Sequence, residues 1–220
     1  MKKSLLIIIA LLVSGAMMAQ GSKGKLTNKS FLVFHVGTSF TPGDFGSRDL
    51  NNDKAGLAKT GINLNLAYGY RFVKNFGITT TFFYNRHGFD NYALLNQIPG
   101  VVTDHWQCYG IAAGPMLTHE ISPKLTGNIR IMGGLANANT PKFIVEKELM
   151  IKEDWQTAPL FRGGLDLQYH TGGNVFLYGN ADYMWMQPEF RVMDASGIVI
   201  DRRHQTITVI NLTAGVGFNF

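Results

Sequence analysis

Three sets of residues have the types and spacing to do chemistry. Ser47, Ser196, Asp104, His105 and His204 supply hydroxyl, carboxylate and imidazole groups. Such a set can hydrolyse or transfer acyl groups in any chain order, because a triad is defined by geometry. No motif ties these five together. Asp49-x-Asn51-x-Asp53 places oxygen ligands at calcium-loop spacing, but Lys54 stands where that loop needs glycine and Thr60 where it needs a carboxylate. A solvated polar loop is the reading that survives. His87, His105 and His204 all lie near the long-loop rim, and His87 and His105 flank one hairpin and could approach each other, but histidines at a hydrated rim are usually just exposed. His119 and Glu120 are adjacent in an extended segment, so they point to opposite faces and form no acid/base pair. Cys108 is the single cysteine, which excludes an internal disulfide, and with no basic neighbour in sequence it reads as a buried thiol. No metal, cofactor or catalytic residue is implied.

The third set is ionic: Arg71, Arg130 and Arg162 against Glu120, Asp166 and Asp182. Its meaning depends on the elements that carry it. The last stretch, Thr206 to Phe220, sets Ile210, Leu212, Ala214, Val216, Phe218 and Phe220 on one face against Asn211, Thr213, Gly215, Gly217 and Asn219 on the other. Period-two segments of this kind also run over about Phe31–Thr41, Thr60–Phe72, Phe76–Arg86, Asp104–Ile121, Leu125–Ala136, Asp154–His170 and Val175–Gln187. That makes eight strands. All six charges share the polar parity of their strands. The glycine pairs Gly133-Gly134 and Gly163-Gly164 mark bends and not phosphate loops.

Connections between these strands alternate long and short, with tight turns at Val73–Asn75, Ser122–Lys124 and Thr171–Asn174. This is the pattern of an all-β, eight-stranded antiparallel up-and-down transmembrane β-barrel with short periplasmic turns and long, mobile extracellular loops. The chain opens Met1-Lys2-Lys3, continues with an apolar run from Leu5 to Val13, and reaches small residues up to Ala19. Residues 1–19 read as a secretory signal peptide and 20–220 as one barrel domain. Taking Lys2 and Lys3 from the 20 basic side chains leaves 18 against 15 acidic ones, with no basic stripe for nucleic acid.

An eight-stranded secreted barrel could also be lipocalin-like, with its apolar face turned inward around a ligand. Two features favour apolar-out. The polar face is mostly Gly, Ala, Thr and Asn, small groups suited to a narrow lumen, with few of the Lys and Glu side chains a wet surface carries. The apolar face ends in aromatics: Phe72, Phe76, Tyr169, Phe218 and Phe220 at the short turns, and Phe40, Tyr84, Trp155, Tyr183 and Trp185 at the long loops. Two such belts fit two membrane interfaces. Charges inside a narrow lumen should then pair, and strand heights suggest Arg162 with Asp182 and Arg130 with Asp166. Trp106 falls on the inward parity, which would require a bulge.

On these residues the chain resembles the small outer-membrane β-barrels of the OmpX and OmpA-transmembrane type, and in particular the generic barrels of Bacteroidota, whose Ala-Gln processing style Ala19-Gln20 matches. The most specific piece is Thr213-x-Gly215-x-x-Phe218-x-Phe220, which looks like the signal read by the barrel assembly machinery. The resemblance implies an outer-membrane location, with lipid and lipopolysaccharide around the barrel and loop partners unspecified. It also implies a non-enzymatic envelope or surface role with a side-chain-filled lumen. Passive passage or binding of small apolar molecules, and lipid A modification, are the alternatives.

Overall fold

In lipid, a backbone amide finds no partner except another backbone group, so strands that cross must close on themselves. The computed structural model describes residues 29–92, 100–145 and 148–220. The expected signal peptide and Gln20 lie outside the described residues. Eight long strands form one closed antiparallel barrel. They are β1 (Ser30–Phe40), β2 (Ala58–Val73), β3 (Phe76–Phe89), β5 (Trp106–Ser122), β6 (Leu125–Asn139), β9 (Trp155–His170), β10 (Val175–Met186) and β13 (Ile207–Asn219). Each pairs with its sequence neighbour, and β1 meets β13 in a register running from Phe31–Asn219 to Phe40–Ile210. Reciprocal bonds between Ser30 and Phe220, 3.2 and 2.9 Å, lock the open end of that seam.

Parity decides orientation throughout. Phe34, Phe82, Ile111, Leu165, Leu177 and Leu212 stand outward and exposed, while Arg130 and Arg162 on the other parity are among the largest fully buried side chains. The apolar face therefore points outward, and the lipocalin-like arrangement is excluded. The short turns, residues 74–75, 123–124 and 171–174, sit at one end of the barrel together with both ends of the described chain. The long connections, 41–57, 90–105, 140–154 and 187–206, sit at the other.

The long connections carry regular structure of their own. Three long connections carry β4 (Val101–Thr103), β7 (Phe143–Val145), β8 (Glu148–Lys152), β11 (Glu189–Asp194) and β12 (Val199–His204), which join in a second, five-stranded sheet ordered β12-β11-β8-β7-β4. β7–β8 and β11–β12 are hairpins within single loops, and the cross-loop pairings β4–β7 and β8–β11, which no single loop's sequence reveals, join them into one sheet. The first long connection folds differently: a 3-10 turn, Gly43–Gly46, buries Phe45 in the barrel mouth.

The view of a lumen filled by small polar groups is also corrected. Inward positions include Phe31, Phe83, Phe176, Met116, Met132 and Met184, all buried. Bulky groups are accommodated where glycine faces them: Phe31 lies over Gly69 and Phe176 over Gly217, each ring where a Cβ would come within 2.1–2.2 Å. Gly215 is tighter still, since a Cβ there would meet the Phe34 carbonyl oxygen at 2.0 Å. Gly215→Leu is expected to block the β1–β13 seam, and semi-native gel migration should show loss of the compact, heat-modifiable species, with Ala214→Leu on the outer face leaving it intact.

Candidate functional site: the filled lumen and the loop-end sheet

The middle of the lumen is ionic. Arg162 grips Asp182 with two bonds, Nε to Oδ1 at 2.8 Å and Nη2 to Oδ2 at 2.7 Å, and its Nη2 also donates to Asn65 Oδ1 at 2.8 Å. Asn211 donates to the same Asp182 Oδ1 at 2.9 Å, and the guanidinium stacks over Phe83 at 5.2 Å. Arg130 Nη2 lies 3.0 Å from Asp166 Oδ1, an ion contact off hydrogen-bond alignment, while Asn180 donates to that oxygen at 2.8 Å. Around these pairs Asn63, Asn65 and Asn85 form a hydrogen-bonded chain, and His35 Nδ1 shares Thr213 Oγ1 at 2.7 Å. Both arginine–aspartate pairs are desolvated, so each carboxylate is what makes its buried guanidinium tolerable.

Two members of the expected network sit apart from this centre. Glu120 is not a lumen residue: it lies at the turn-end rim, bonded to Lys74 at 2.8 Å, because β5 runs past the lumen before it turns. Arg71 is buried at the same end, donates to Gln168 Oε1 across the lumen at 2.8 Å and stacks on Phe31 at 5.0 Å. Among the described residues no carboxylate lies within ion-pair distance of it. Phe31 and Phe176 meet edge-to-face at 6.1 Å beside it and fill the turn end.

The loop end is filled by a second aromatic cluster. Trp106 enters the lumen without any bulge, since β5 keeps an unbroken register with β3 there, and the expectation of one is corrected. Its indole Nε1 donates to the Gly56 carbonyl at 2.9 Å, so the first long connection supplies both the partner for its polar atom and Phe45 to pack on it at 5.3 Å. Phe190 from β11 and His87 complete the cluster.

The barrel continues into the loop sheet through one clasp. Asp154, just before β9, is buried, and its carboxylate accepts from the Arg191 backbone N–H, the Arg191 guanidinium and the Gln156 amide, each at 2.8 Å. Burial alone would raise its pKa, but these donors outweigh burial and hold the carboxyl below its usual range. Beside the clasp, Trp155, Thr157, Glu189 and Arg202 line an open polar cleft of about 530 Å³. At the same end His105 bonds the Asp104 carboxylate at 3.1 Å and, with Lys142, holds that carboxyl below its usual range.

The sequence candidates for catalysis are not assembled. Ser47 Oγ accepts from the Asp49 amide, Ser196 Oγ donates to Asp194, and His204 is exposed in β12. His87 is turned into the lumen while His105 contacts Arg86 outside the barrel mouth. Asp49 and Asn52 are engaged in local turns, and among the described residues no three His, Cys, Asp or Glu side chains converge. Of the aromatic belts, Phe72, Phe76, Trp155, Tyr169, Tyr183 and Trp185 are exposed on the outer face, and Phe220 with them. Phe218 and Tyr84 are half-buried, the latter bonded to Gln107 at 3.0 Å. Sequence parity could have flagged Trp106 as a plug, but the Gly56 partner comes from a loop with no periodic signal.

Asp182→Asn leaves Arg162 buried without its counter-charge and is expected to cost about 3–5 kcal/mol in urea unfolding from detergent. Replacing both by apolar residues, Arg162→Met with Asp182→Leu, should recover most of that loss. For the clasp, a lowered carboxylate pKa means its contribution is complete above the ordinary aspartate range and is lost as the pH falls through the lower native value. Limited proteolysis of the loop sheet should accelerate in that acidic window, and Arg191→Ala should move the onset to higher pH.

No family model matches the chain, and no curated protein matches it. Solved structures do. The attachment invasion locus protein Ail of Yersinia pestis is 18% identical, with a TM-score of 0.51 over 87% of this chain and 99% of that one. Neisserial surface protein A is 15% identical with a TM-score of 0.54, covering 87% and 97%. A major outer membrane protein of Thermus thermophilus is 9% identical with a TM-score of 0.55, covering 87% and 99%. The fold this chain shares with them is that of the small outer-membrane β-barrels.

Proposed function

We propose that the protein is a non-enzymatic, integral outer-membrane barrel that acts by surface contact through its loop-end sheet. The observation that carries this reading is the pairing of three separate loops into one ordered sheet standing on a barrel with buried aromatic side chains at both ends. The turns and both ends of the described chain face the periplasm, and the sheet and its polar cleft face outward. Lipid and lipopolysaccharide cover the apolar face, and the Thr213, Gly215, Phe218 and Phe220 signal engages the assembly machinery. Passive passage of small apolar molecules is disfavoured by aromatic fill at both ends, and lipid A modification by the local turn contacts that engage the Ser47 and Ser196 hydroxyls.

Planar-bilayer recordings of the purified barrel should be silent, whereas Phe45→Ala with Trp106→Ala should introduce leak currents. Stable conductance by the unaltered protein overturns the closed lumen. Cells carrying the gene should bind abiotic or cellular surfaces better than cells whose copy lacks residues 189–204, and equal binding removes the contact role. Because Ail has been crystallised with the heparin analogue sucrose octasulfate, that polysulfate is a ready competitor for the same assay.

A further inference from the structure

Between the ionic centre and the aromatic plug lies a layer of soft donor atoms that the surface-contact reading does not use. Cys108, Met184, Met186 and His87 are all buried and all point into the lumen. Cys108 Sγ lies 3.6 Å from Met186 Sδ. His87, Cys108 and Met184 line one enclosed cavity under Phe45 and Trp106, with about 10 Å³ of free space. That is room for one particle of water size.

We propose that this layer is a binding site for a soft monovalent metal ion, Cu(I), held by the Cys108 thiolate, the Met186 and Met184 thioethers and His87 Nε2. Thiolate, thioether and imidazole together form the donor set that selects Cu(I) over the hard divalent ions. Two sulfurs that each bind one metal at about 2.3 Å stand roughly 3.8 Å apart at a tetrahedral angle, close to the separation found. His87 is oriented for the role: its Nδ1 lies 3.1 Å from the Lys59 backbone carbonyl, the partner that fixes the tautomer with the proton on Nδ1 and the lone pair on Nε2. Nε2 makes only one long contact, 3.4 Å to Ser39 Oγ. No carboxylate lines the cavity, and the Asn85 and Gln107 amide oxygens that do are already engaged by Asn63 and Tyr84, a poor donor set for Ca²⁺ or Mg²⁺.

The binding step balances without oxidation or reduction. The Cys108 thiol loses its proton to solvent, the sulfur lone pair forms the bond to Cu(I), and the site stays neutral. That neutrality matters, because Arg162 is the direct cross-strand neighbour of Met184 and its carboxylate partner Asp182 is already committed to it. Simple packing is the competing account, since methionine fills irregular cores and sulfur contacts need no metal. It predicts no metal retention at all.

The test is titration of the refolded barrel in detergent with Ag(I), which has the same preferences and no accessible redox change, and with Cu(I) against a chromophoric chelator. One equivalent should be retained per barrel, with one proton released. Cys108→Ser and Met186→Leu should each weaken retention by at least about tenfold while the heat-modifiable gel band is unchanged. Met184→Leu serves as a second variant should Cys108→Ser fail to fold. Absence of retained metal in the unaltered protein, or equal retention in the folded variants, overturns the site.

Discussion

Hydrogen-bond closure between the first and last barrel strands is the constraint from which the remaining features follow. Once β1 and β13 pair along their whole common length, the barrel is closed and no strand edge faces lipid. Closure fixes the cross-section of the lumen, and a fixed cross-section must be filled by whatever the inward parity supplies. Gly215 lets the seam strands approach, and Gly69 and Gly217 make room for Phe31 and Phe176. Large and small residues alternate across facing strands because neither alone would fill a tapering, eight-stranded interior at native density.

The same parity explains why charge sits where it does. An arginine on the outer face would stand in hydrocarbon, so every mid-strand charge must be inward, and once inward it is out of reach of bulk water. Arg162 and Asp182 answer this with a bidentate geometry plus amide donors and acceptors from Asn65 and Asn211. Such a pair contributes little net stability relative to an apolar core, but it is satisfied in only one register. Within a sheet whose backbone pairing would tolerate slippage, the pair therefore acts as a register lock. Arg71 is the exception that clarifies the rule. Lacking a carboxylate, it is stabilised by an aromatic face and an amide oxygen near the turn-end rim, where the field of the surrounding water is closest.

What the sequence disclosed and what it hid divide along one physical line. Side-chain alternation is local, so the eight strands, their orientation and the inward placement of Arg130, Arg162, Asp166 and Asp182 could all be read from spacing. The long–short rhythm of connections is equally local. Trp106 reads as an error of parity in the sequence, because the partner its indole needs inside the lumen is the Gly56 carbonyl, some fifty residues earlier. Glu120 kept its parity but not its depth, since parity says which face and not how far along the barrel axis. The loop sheet was invisible for the strongest reason. Its strands are three to six residues long; β7–β8 and β11–β12 pair within single loops, but the sheet exists only through the cross-loop pairings β4–β7 and β8–β11.

That sheet also bears on what the two ends of the molecule are for. Short turns suffice to connect strands, so the long connections are not required by the barrel, and ordering them costs conformational entropy of about 1–2 kcal/mol per residue before any partner is met. Part of that cost is offset by Phe45 and Phe190, which bury themselves on Trp106, and by Arg191, which satisfies Asp154. A loop end ordered in advance loses less freedom on binding than a flexible one, so its contacts convert more fully into affinity. Plug and platform are therefore one device. The groups that seal the lumen are the groups that hold the outer sheet in shape, and a change that opened the first would loosen the second.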